Sequence, residues 1–134
     1  MKHIVIVDED RPGALADISY LLGTAKINME NVSVEVMGDK AIMHIFVKDD
    51  AAARKILAVN GYNVLSPDHL VLRLENKPGA WAKAAELLKK DGISVKNVQL
   101  ITKGKTHHMY SLITDKNKKA EKVLAEYLWF EDAV

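Results

Sequence analysis

Glu9-Asp10-Arg11-Pro12-Gly13-Ala14-Leu15 decides the fold, because the chain writes it twice. It returns 66 residues later (11 to 77) as Glu75-Asn76-Lys77-Pro78-Gly79-Ala80-Trp81. The same offset lays Leu21-Leu22 on Leu87-Leu88, Ile27 on Ile93 and Asn31-Val32 on Asn97-Val98. Further on, Gly38 falls on Gly104, Met43 on Met109 and Asp49 on Asp115. Agreement in register over about fifty residues is the signature of a duplicated supersecondary unit. Of the three prolines, two belong to the motif and Pro67 marks the junction, so the expected units are 1–66 and 67–134.

Each unit reads as strand, helix, strand, strand, helix, strand. The first strand is Ile4 to Val7, mirrored by Leu70 to Leu74. A helix is expected from about Pro12, since proline suits a first turn, with Asp10 or Asn76 as cap. Its apolar stripe is Leu15, Ile18, Leu21, Leu22 and Ala25, answered by Trp81, Ala84, Ala85 and Leu88. Val32, Val34 and Val36 then alternate with Asn31, Ser33 and Glu35, the period of a strand. Gly38-Asp39 turns the chain into the β-rich run Ala41 to Lys48. Asp49-Asp50 caps a second helix that Asn60-Gly61 stops, and Tyr62 to Leu65 closes the unit. The second copy repeats this, with Asp115 as the expected cap of its last helix and Leu128 to Glu131 as a short last strand.

A βαββαβ unit with right-handed crossovers folds as a ferredoxin-like α+β plait, both helices on one face of an antiparallel sheet. Two fused units are expected side by side as one eight-stranded sheet, which hides two edges from aggregation. The first strands are apolar at nearly every position (Ile4-Val5-Ile6-Val7; Leu70-Val71-Leu72, Leu74), so the helix-free face is expected to be covered too. A second chain is the simplest cover, and a homodimer is expected.

Composition removes many functions. The chain has 134 residues and no cysteine, which excludes disulfides, thiolate metal sites and cysteine nucleophiles. Nineteen basic against eighteen acidic side chains leave no concentrated basic charge for a nucleic acid. Residues 1–66 carry seven basic and nine acidic side chains and the remainder twelve and nine, a mild split. Aromatic residues are 6% and the first strands are aliphatic, so the stacking platform of an RNA-binding plait is missing. Ile4 to Val7 is too short for a signal-peptide core and no run suits a bilayer, so a cytoplasmic protein with no membrane partner is expected. No nucleophile elbow or phosphate loop occurs, so no catalytic residue, metal or cofactor is assigned. His107 and His108 are adjacent on a strand and point to opposite faces, so they read as hairpin or surface residues. His44 reads as a satisfied sheet histidine, and His3 and His69 as residues of strand starts.

The duplicated loop remains. Pro-Gly clears side chains from a helix N-terminus, whose exposed N–H groups and partial positive charge suit a carboxylate. Asp10 or Asn76 beside it could receive an ammonium, and an anion and an ammonium held close together describe an amino acid. The plainer reading, a turn that starts a helix, accounts for the same residues.

These residues carry a family likeness. The two Pro-Gly heptads resemble the start of an ACT domain, and Lys26-Ile27-Asn28-Met29-Glu30-Asn31-Val32 and Gly92-Ile93-Ser94-Val95-Lys96-Asn97-Val98 are similar to that family's segment entering its second strand. The likeness covers nearly the whole chain, twice. It implies a regulatory module that binds an amino acid between two paired domains. One domain gives the loop residue before Pro-Gly; its neighbour gives the asparagine entering the second strand. Carried over, the complete site is Asn76, Lys77, Pro78, Gly79, Ala80 and Trp81 with Asn28 and Met29. The second site, Asp10, Arg11, Pro12, Gly13, Ala14 and Leu15 with Ser94 and Val95, departs from the pattern at Asp10 and Ser94 and is expected to be weaker. Side-chain selectivity would come from Leu15, Trp81, Met29 and Val95, the first two of which also suit a core.

The expected function is therefore a non-catalytic amino-acid sensor that acts in trans on a metabolic enzyme or regulator, with an enzyme of amino-acid metabolism as a possible partner. The alternative is a structural adaptor with a degenerate ligand site that docks such an enzyme. An enzyme is the third reading.

Overall fold

The computed structural model describes residues 2–129, and the chain divides between Pro67 and Asp68 into two compact units. The first contains β1 (Lys2–Glu9), α1 (Ala14–Thr24), β2 (Asn31–Met37), β3 (Lys40–Val47), α2 (Asp50–Val59) and β4 (Asn63–Val64). Its strands pair antiparallel in the order β2-β3-β1-β4. The second contains β5 (Leu70–Glu75), α3 (Ala80–Lys90), β6 (Val95–Lys103), β7 (His107–Thr114) and α4 (Asn117–Val123), with strand order β5-β7-β6. Both units are ferredoxin-like α+β plaits. Ile4, Ile6, Met43 and Ile45 form the core of the first with Ile18 and Leu22 of α1 and Leu57 of α2. Leu70, Leu72, Leu74 and Leu112 do so in the second with Ala84 and Leu88 of α3 and Ala120 of α4.

Among the described residues the expected eight-stranded sheet is corrected to sheets of four and three strands. Where a last strand was expected, Leu128 makes one bridge to Leu72, and Trp129 N–H donates to Val71 C=O at 2.8 Å; Phe130 and Glu131 lie outside the described residues. The reason is local. In the first unit Gly61, at φ 86°, ends α2 and turns the chain back into β4. No glycine follows Gly104, so the chain leaves α4 through the 3-10 turn Ala125–Tyr127.

Both Pro-Gly helices begin later than expected. Their N-caps are Gly13 and Gly79, at φ 83° and 87°, with no side-chain capping bond. Asp10 and Asn76 therefore do not cap; their backbone N–H groups donate to Asp39 C=O (3.0 Å) and Thr106 C=O (2.9 Å) at the hairpin tips. A Cβ added at either glycine would meet nothing within 4 Å, so backbone conformation, not crowding, demands glycine there.

Asp115 is a further correction. Asp49 caps α2 by accepting from Ala52 N–H, but the N-cap of α4 is Lys116. Asp115 instead accepts from Ser94 N–H at 2.8 Å. An irregularity of β6 between Leu100 and Thr102 adds one residue to the second copy. Beyond it β3 starts at 40 and β7 at 107, so equivalent residues stand 67 apart and not 66.

Residues paired across strands share a face, which sorts the sheet surfaces. Val32, Val34 and Val36 lie on the helix side of the outer strand β2, yet all three are exposed. On the helix-free side, Val5, Val7, Ile42, His44 and Phe46 of the first unit and Val71, Met109 and Ser111 of the second are buried. The expectation of a covered helix-free face therefore holds.

Candidate functional site

The β5–α3 loop and the first turn of α3 form one side of a cleft of about 300 Å³ in the second unit. Five of the residues expected at the site meet there: Asn76, Lys77, Gly79, Ala80 and Trp81. Pro78 is exposed and is not part of the lining. No side chain caps α3 and its first turn holds no acidic residue; the Ala80 N–H donates to Lys77 C=O at 3.3 Å, and the helix dipole presents positive potential toward the cleft. Lys77 Nζ stands 3.0 Å from Glu75 Oε2, and that ammonium holds the Glu75 carboxyl below its ordinary range. Both side chains are half exposed, so the pair adds little stability; it neutralises the mouth of the cleft.

The opposite wall comes from β7. His108 and Tyr110 lie two residues apart on one strand face, opposite Leu74 and Leu72. Tyr110 meets Trp81 edge-to-face with ring centroids 5.1 Å apart. Its hydroxyl lies 3.5 Å from His108 Nδ1. Sequence reasoning missed both residues. Their period-2 spacing was visible, but only the register of β5 against β7 brings them to the loop.

The first unit repeats the loop with different electrostatics. Arg11 reaches Asp17 Oδ2 at 3.0 Å, Asp8 Oδ2 at 3.2 Å and the Tyr62 hydroxyl at 3.4 Å. These contacts raise the Arg11 guanidinium above its ordinary pKa, the bond to Asp17 most. Asp17 already supplies a carboxylate in the first turn of α1, where negative charge is favoured by the helix dipole. The second copy has Lys83 where the first has Asp17, and Leu74 where it has Asp8. The two helix starts therefore differ in charge. Asp10, Pro12 and Gly13 are exposed, Leu15 is 37% exposed and Ala14 is buried.

The residues expected to complete each site lie on other elements. Asn28 is exposed and lines a separate cleft of about 430 Å³ in the first unit, with Lys26, Glu30, Lys48 and Asp49. Met29 packs against the first core. Ser94 has its N–H taken by Asp115, and Val95, the first residue of β6, is exposed. Among the described residues no three His, Asp or Glu side chains stand close enough to hold a metal ion. No described helix is long and apolar enough to cross a membrane.

A family model described as an ACT domain pair matches residues 1–131, a span that holds both copies of the duplicated loop. The chain is an ACT domain pair. Solved structures similar to this ACT pair include protein BT0572 from Bacteroides thetaiotaomicron, at 23% identity and a TM-score of 0.48, with 94% of this chain and 89% of that chain covered. The regulatory subunit of aspartate kinase from Thermus thermophilus is similar at 18% identity and a TM-score of 0.40, covering 94% and 93%. The acetolactate synthase small subunit from Thermotoga maritima is similar at 13% identity and a TM-score of 0.40, covering 96% and 89%. No curated protein matches the ACT pair in sequence.

Proposed function

We propose that this ACT pair is a non-catalytic sensor that binds a free amino acid in the α3 cleft and passes the signal to a separate enzyme of amino-acid metabolism. The observation that carries the reading is the uncapped, acid-free start of α3 opening on a cleft of amino-acid size. The α-carboxylate sits at the first-turn amides of α3. Asn76, beside them in the same cleft, receives the ammonium and orients the ligand. The first unit's own loop is the weaker site, because Asp17 and the bound Arg11 already satisfy it.

A ligand held with micromolar to millimolar affinity has about 4–8 kcal/mol of binding free energy. It can bias the protein only by its difference in affinity between two states. Homodimerisation is part of the proposal, on the ground that β2 and β6 are outer strands with exposed apolar rows. These are Val32, Val34 and Val36 on one, Val98 and Leu100 on the other.

Titration calorimetry of the full chain with the twenty amino acids tests the binding. One ligand per chain is expected, with affinity reduced at least tenfold in Asn76→Ala. Two equal sites per chain would remove the claim that the first loop is weak. If no amino acid produces heat, the sensor reading fails and a docking scaffold replaces it.

A further inference from the structure

Resting on that reading of the α3 cleft, we infer that the site selects an amino acid with a neutral aromatic side chain, and that Trp81 and Tyr110 are the selecting residues. The wall they form is already aromatic and ordered: the rings meet edge-to-face at 5.1 Å, both are half-buried, and both pack against the second core. One ring of such a pair held beside a cleft offers a third ring a further edge or face, a geometry that an aliphatic side chain does not use.

The repeat supplies an internal comparison. Allowing for the residue added in β6, the first unit carries Leu15 where the second has Trp81, Met43 for Tyr110 and Ala41 for His108. All three positions differ together, and all three line this cleft. Packing of the plait alone does not require this, because the first unit closes a complete core with Met43 at the Tyr110 position.

Charge argues for a neutral ligand side chain. The Lys77 ammonium lies on Glu75, so neither presents an uncompensated charge to an acidic or a basic group. His108 and the Tyr110 hydroxyl put polar atoms at one place on the wall, suited to a phenol or indole N–H at a ring's edge. A cleft of about 300 Å³ is at the small end of ligand sites, which suits one aromatic amino acid and is too small for a nucleotide.

The test is calorimetry on the unmodified chain with the twenty amino acids, the comparison resting on phenylalanine, tyrosine, tryptophan, leucine, isoleucine, serine and aspartate. The expected result is that at least one aromatic amino acid binds about threefold to tenfold tighter than leucine, with aspartate weaker still. Trp81→Leu and Tyr110→Met, the residues of the first unit, are expected to erase that preference while leucine still binds. Trp81→Phe is expected to keep it and guards against loss by misfolding. If leucine or serine binds as tightly as the best aromatic ligand, the selectivity is overturned and the sensor reading survives. If none of the twenty amino acids binds, both fall together.

Discussion

His44 lies in the middle of β3, 1% exposed, with its Nε2 2.6 Å from His3 Nδ1 and its ring 4.8 Å from that of Phe46. Burial, and secondarily the neighbouring His3, lowers its pKa from 6.5 to about 4. The unfolded chain takes up this proton near pH 6.5 and the folded chain only near 4. The unfolded state thus binds more protons between those values. The stabilisation is whole above pH 6.5 and is lost as pH falls toward 4, by roughly 1–3 kcal/mol. Denaturant titrations at pH 7.5, 5.5 and 4.5 check this: His44→Gln is expected to flatten that part of the decline, and parallel curves for the two proteins would refute it. At this scale the sequence was partly legible. His44 read as a sheet histidine and is one, because a long β-rich run surrounds it. His108 read as a hairpin or surface residue and instead lines the cleft, since a single residue's surroundings depend on which strand pairs with it.

Helices and strands were largely legible because hydrophobic periodicity and turn residues are local properties. The Pro-Gly loops, the Gly38-Asp39 turn and the cap at Asp49 lie where their residue types put them. Elements went wrong where one residue changed the count. The added residue in β6 moves Asp115 off the N-cap of α4 and onto Ser94 N–H. The two aspartates therefore act differently although they align. Asp49→Ala is expected to cost about 1 kcal/mol through the lost Ala52 bond. Asp115→Ala is expected to loosen the segment before β6 without fraying α4. Hydrogen exchange on each variant distinguishes these outcomes: early protection loss in α2 for the first, at Ser94 and Val95 for the second. Exposed α4 amides in Asp115→Ala would restore it as a cap. Among the described residues the second unit has no counterpart of β4, and the cause is of the same kind, a glycine present at Gly61 with none after Gly104.

Across the molecule, two plaits of one plan have diverged at the same loop. The first binds its arginine between Asp8 and Asp17 and keeps an aliphatic wall; the second leaves its helix start open before an aromatic one. The outer strands share a liability, since β2 and β6 each present exposed apolar rows. Association of two copies along such edges predicts that Val34→Lys together with Val98→Lys shifts sedimentation equilibrium toward the monomer. Both positions are exposed, so folding is expected to survive; an unchanged mass distribution would rule out these edges as the contact. The sequence by itself determined the duplication, the α+β plait and the loops worth inspecting, because repeats, periodicity and glycine conformations are written in neighbouring residues. Strand register alone decided that His108 and Tyr110 face Trp81 and that Asp115 serves Ser94. Register is set by pairing between segments far apart in the chain, where one added residue reassigns every partner beyond it.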